Sequence, residues 1–200
     1  MRFPDGTSPE DALSIARETG DLAALGELSL LSALRVSWSL PGRLLAPLEP
    51  AVGFTCSLPR DVALRRMGTV AAMLDLTPAV TQPALLETAG ALREAGFSLA
   101  VRTLEPELLE DDLRGLQPEL WALPESVWAG DEAYLERLIG AARDRGALVL
   151  AFGVEQPGQL AHLRRLGLDL ATGPHLGRSA PATAWTPTRI SMSWPREASR

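Results

Sequence analysis

The sequence predicts an α/β fold built on a parallel sheet. Three observations carry this. Short apolar runs such as "ALVLAF", residues 147–152, have the length of strands buried on both faces. Amphipathic segments with helical spacing separate them, and Ser, Thr, Pro and Gly punctuate the junctions. Such alternation implies right-handed crossovers, and periodicity leaves open whether the sheet is doubly wound or closed into a barrel.

Taken in order, Ser8 is expected to cap a first helix, with Pro9 suited to its first position and Glu10 and Asp11 to the positive end of its dipole. Gly20 closes it, and "GELSLLSALRVSW" continues as a second helical piece. The Pro- and Gly-bearing "SLPGRLLAPLEP", residues 39–50, predicts a loop, and "AVGFTCSL", residues 51–58, a strand. "DVALRRMGTVAAM" has helical character and "LDLT" is strand-like. A helix follows over 81–96, with Pro83 in its first turn and Gly96 as its left-handed end, then the strand "FSLAV". "LLEDDLRGL" predicts a short helix and "ELWAL" a strand. In "DEAYLERLIGAARDRG" the residues Tyr134, Leu135, Leu138, Ile139 and Ala142 form one apolar stripe, stopped by Gly146. After the strand at 147–152 come a tight turn, a helix and a last strand that ends at Gly173. One domain over 1–181 with a Pro-, Ser- and Thr-rich tail at 182–200 is expected, although Ile190, Met192 and Trp194 alternate and could add an edge strand.

With 46% hydrophobic residues, the 200-residue chain can bury a sizeable core. Its 19 basic and 25 acidic residues leave a formal net charge of −6, which repels a polyphosphate backbone and argues against a nucleic-acid partner. The single Cys56 can form no internal disulfide, consistent with a reducing compartment. The start has neither the basic segment and apolar run of a secretory signal nor the length of a membrane span, so a cytoplasmic protein without membrane contact is expected.

The usual catalytic signatures are missing. His162 lies off the Leu160, Leu163 and Leu166 stripe, on a face expected to be wet. His175, just past a strand end, is better placed for binding, though a lone loop histidine is more often exposed or structural. No nucleophile elbow, Walker loop or dinucleotide fingerprint occurs. The acidic run Glu110 to Asp112 is taken as the solvated opening of a helix. Of the five tryptophans, Trp38 and Trp194 fall in irregular stretches where an interface role competes with burial.

The segment "AFGVEQPGQLAHLRRLGLDLATG" resembles the "AEGVE…QL..L…G.D..QG" signature of the EAL family, the cyclic di-GMP phosphodiesterases. Five further segments follow in the family's order: "ARETGDLAALGELSL", "FTCSLP", "LDLTP", "LAVRTL" and "LWALPESV". Together they cover roughly residues 2–181. The resemblance implies a modified TIM barrel whose site lies at the carboxyl ends of the strands, where two divalent cations activate a water. "MRFPDG" is similar to the family segment that follows the name-giving tripeptide, so the first strands are expected to be missing. The barrel would then be open, with edges that another strand, subunit or partner should cover.

The resemblance also locates the family's functional positions. Cys56 stands for its metal-binding Asn, Asp75 for its strand Glu and Pro78 for its loop-stabilising Glu. Arg102 and Thr103 replace two adjacent aspartates, Ala122 replaces the catalytic lysine, and Pro124 an Asp. Phe152 replaces the Glu of "AEGVE", and Thr172 a Gln. No Mg²⁺ or Mn²⁺ is therefore expected. The implied function is that of an inactive EAL-like domain signalling through a protein partner or as a homodimer. One alternative is a non-hydrolysing cyclic di-GMP sensor using Arg102 and His175. Others are a residual phosphodiesterase and a different chemistry joining Asp75 to His175.

Overall fold

The computed structural model describes residues 8–37, 40, 42–56, 69–77, 80–103 and 116–177. Two helices come first, α1 (Pro9–Thr19) and α2 (Leu22–Ser37). The Ser8 hydroxyl accepts the Asp11 N–H at the start of α1, and Gly20 ends it at φ 80°. The strands are β1 (Leu44–Leu48), β2 (Val70–Leu76), β3 (Ser98–Thr103), β4 (Leu120–Leu123), β5 (Leu148–Ala151) and β6 (Leu170–Ala171). Between or after them lie α3 (Gln82–Glu94), the single turn α4 (Glu125–Trp128), α5 (Glu132–Asp144) and α6 (Pro157–Arg165). Thr81 caps α3 and Asp131 caps α5, each through its side-chain oxygen.

The six strands among the described residues run parallel in the order β1-β2-β3-β4-β5-β6, a curled open sheet of the TIM-barrel type. Its two faces follow from strand alternation. Leu48, Leu74, Val101, Trp121, Leu123 and Val149 point into the main core, where they meet Leu30, Leu34, Leu85, Leu92, Leu135, Ile139 and Leu163 of the helices. On the other, concave face Met73, Ala100, Leu120, Ala122 and Leu150 form a second cluster, joined by Leu45 and Phe152. Two of these are alanines, as a tightly curved inner face requires.

Two expectations about the strands are corrected. Residues 51–56 form a turn and irregular chain, and the strand lies earlier, at Leu44–Leu48, inside the segment expected to be a loop. Pro47 is the reason it escaped notice. The Leu44 N–H donates to the Thr69 carbonyl at 2.7 Å, so alternate residues Leu44, Ala46 and Leu48 face β2, while Pro47 faces the free edge, where a missing N–H costs nothing. Second, residues 70–73 belong to β2 and not to a helix; a neighbour on each side decides a short apolar run whose periodicity is ambiguous. Residues 61–68 of that predicted helix lie outside the described residues. The sheet is open, as expected, and on its β1 edge Pro47 has no donor while its carbonyl accepts the Ser29 hydroxyl of α2 at 3.2 Å. Among the described residues the opposite edge strand, β6, has only two residues.

Leu148, placed in a strand buried on both faces, is 41% exposed. Residues 108–115 of the helix predicted at 108–116, the tail at 182–200, and Trp38 and Trp194 fall outside the described residues. No helix among the described residues is long and apolar enough to cross a membrane.

Candidate functional site

The parallel register brings one row of residues to the carboxyl ends of the strands. Asp75 of β2 is the partner of Arg102 in β3, Arg102 of Ala122 in β4, and Ala122 of Leu150 in β5. Glu49, the residue after β1, extends the row on one side, and Phe152, just beyond β5, lies one side-chain step above Leu150. Because these positions alternate with the core-facing residues, their side chains turn to the concave face.

Two guanidinium–carboxylate pairs dominate that end. Arg102 donates from Nε to Asp75 Oδ1 at 2.8 Å and from Nη2 to Oδ2 at 2.6 Å, a two-pronged pair. Arg17, in the last turn of α1, reaches across to Glu49, with Nε 3.0 and 3.1 Å from its two oxygens and Nη2 bonded to Oε2. Glu49 is a buried charge, only 8% exposed. Burial pushes the Asp75 carboxyl above its ordinary value; the bond and charge of Arg102 oppose this, and the nearby Glu49 charge adds to it. The bond to Glu49 holds Arg17 above the usual guanidinium value, against a smaller opposing effect of burial.

These charges floor a cleft of about 230 Å³ between the helix pair and the sheet. Ala12 and Leu13 of α1 with Leu22 and Leu25 of α2 make its apolar wall; Glu49, Asp75 and Arg102 make its polar end. Gly26 lets α2 approach closely, since a Cβ there would lie 3.3 Å from the Phe54 ring.

Phe152 is fixed by three contacts. Its N–H donates to Leu123 at 2.8 Å, its carbonyl accepts Trp128 Nε1 at 2.6 Å, and its ring packs on the concave cluster. Ala122, 1% exposed, lies in the same cluster. Thr172 is exposed and contributes backbone, its N–H to Ala151 and its carbonyl to Val154. The His175 N–H donates to the Val154 carbonyl at 3.1 Å while its side chain is exposed, away from the cleft that holds Asp75. Thr103 ends β3. His162 is partly exposed, 3.7 Å from Glu132.

Cys56 does not stand at a strand end. It follows the turn at 52–53 and packs, half buried, against the main core, because the strand assigned to it lies earlier in the chain. Glu49, in that end position, was missed, as was Arg17. "LLAPL" followed by an acid was the available signal, and its proline concealed it. Pro78 is outside the described residues. Among the described residues no three His, Cys, Asp or Glu side chains converge as a metal site.

No family model matches the chain, and no curated protein does. Solved structures do. The PaMucR phosphodiesterase in its c-di-GMP complex is 20% identical, with a TM-score of 0.70 over 88% of this chain and 86% of that one. A standalone versatile EAL protein from Vibrio cholerae O395, in its c-di-GMP-bound form, is 17% identical, with a TM-score of 0.68 over 90% and 83%. The FimX EAL domain from Pseudomonas aeruginosa, bound to c-di-GMP, is 15% identical, with a TM-score of 0.67 over 86% and 78%. The fold is thus that of EAL domains, a modified and open β/α barrel.

Proposed function

We propose that the chain is a cytoplasmic EAL-like domain that has lost phosphodiesterase activity and signals through contact with a protein partner or a second copy of itself. The observation that carries this reading is the Arg102–Asp75 pair: a fixed guanidinium stands where the resemblance implies anionic metal ligands. Two divalent cations need a shell of oxygen donors, and a guanidinium repels them. Ala122 and Phe152 add an apolar wall where that chemistry would need a lysine and a carboxylate. These residues do not suit a metal pair, and we derive no hydrolytic step through one.

The test is incubation of the purified chain with cyclic di-GMP and Mg²⁺ or Mn²⁺, followed by chromatography of the nucleotide. The expected result is intact cyclic dinucleotide; metal-dependent appearance of a linear product would overturn the reading. A sensor function is the second reading. It is favoured by the bound c-di-GMP in the FimX structure and by Arg102 Nη1, which has no partner among the described residues and could donate to a phosphate. Calorimetric titration distinguishes the two, and if Arg102→Ala binds as well as the unmodified chain, Arg102 has no part in sensing.

A further inference from the structure

The cleft under α1 and α2 has a composition that a cyclic dinucleotide does not explain. Its volume of about 230 Å³ lies below the ~300–1,000 Å³ of pockets that take drug-sized ligands. A cleft of this size is suited to a small metabolite.

Its chemistry is divided. One wall is aliphatic, from Leu13, Leu22 and Leu25, and the opposite end is charged. There, Arg102 spends Nε and Nη2 on Asp75, leaving the two hydrogens of Nη1 without a partner among the described residues. The Asp75 carboxylate accepts two bonds from Arg102 and keeps lone pairs free, and Glu49 stands close enough for its charge to be felt at Asp75. With Arg17 neutralising Glu49 from α1, the four charges sum to zero.

We propose that this cleft binds a small aliphatic α-amino acid, of valine or leucine size, as its zwitterion. The ligand carboxylate accepts from Arg102 Nη1, the ammonium donates to Asp75 and Glu49, and the branched side chain lies on Leu13, Leu22 and Leu25. Net charge decides among ligands of this size. A neutral zwitterion leaves the partly desolvated floor balanced, whereas a bare carboxylate or a bare amine of the same shape adds an uncompensated charge. The proposal rests on the same Arg102–Asp75 pair as the reading of lost hydrolysis, and it competes with the sensor reading for Arg102 Nη1.

The experiment is calorimetric titration of the full chain with L-leucine, isocaproate and isoamylamine, alongside thermal denaturation with each. Leucine is expected to bind and raise the melting temperature; each analogue, lacking one charged group, should bind at least about tenfold more weakly, as loss of charge-assisted hydrogen bonds predicts. Equal binding of isocaproate or of isoamylamine would overturn the zwitterion assignment, and no binding by leucine would overturn the proposal. Ala12→Trp fills the cleft without removing a charge. Where its circular dichroism matches the unmodified chain, it should abolish leucine binding, and retained binding would place the ligand elsewhere.

Discussion

Asp75 and Arg102 sit opposite each other on neighbouring strands, so each is the other's main compensation for leaving water. Arg102→Ala is expected to cost about 1–2 kcal/mol in urea denaturation, with Asp75→Asn in the same chain recovering part of the loss, since much of it is an uncompensated carboxylate. The pH dependence has a definite sign. A carboxyl whose value is raised in the folded chain binds its proton more tightly there than when unfolded. Asp75's contribution to stability is therefore greatest in acid and declines as pH rises through the window just above its ordinary value of 3.8. Stability curves of the wild type and Asp75→Asn should accordingly diverge across that window, the wild type losing ground as pH increases. Asp75, Arg102, Ala122 and Phe152 were located through the resemblance of "LDLTP", "LAVRTL", "LWALPESV" and "AFGVEQ" to the family's segments. Glu49 was not, since nothing local distinguishes a strand that tolerates a proline from a loop that contains one. Arg17 was illegible for another reason: its partner is 32 residues away, and only the fold brings the two together.

Among the elements, β1 shows how an edge is protected. Pro47→Val would restore a donor on the free edge and should promote self-association, visible as a concentration-dependent rise in sedimentation coefficient. If the mutant stays monodisperse at high concentration, Ser29 and α2 suffice without the proline. Asp131 accepts the Ala133 N–H at 3.0 Å at the head of α5, and Asp131→Ala should lower stability by about 1 kcal/mol. The helices were the most legible elements, because the Ser8 cap, prolines such as Pro83 in a first turn, closing glycines such as Gly20 and Gly146, and stripes such as Leu135, Leu138, Ile139 and Ala142 are local signals. The first two strands were the least legible. "VAAM" has the composition of either element, and only pairing with β1 and β3 makes it a strand.

At the scale of the molecule, one sheet carries a core on each face, and neither cluster survives without the strands they share. Urea unfolding should therefore be one cooperative transition, with far- and near-ultraviolet circular dichroism giving the same midpoint; separated midpoints would mean that the helix pair α1–α2 unfolds on its own. The strand order has a temporal meaning as well. Each strand lies beside the one made immediately before it, and no later segment among the six strands must be inserted between two earlier ones. A ribosome releasing this chain at ~5–20 residues per second thus delivers the strands in the sequence in which the sheet can accept them. Synthesis and assembly can advance together from the amino terminus.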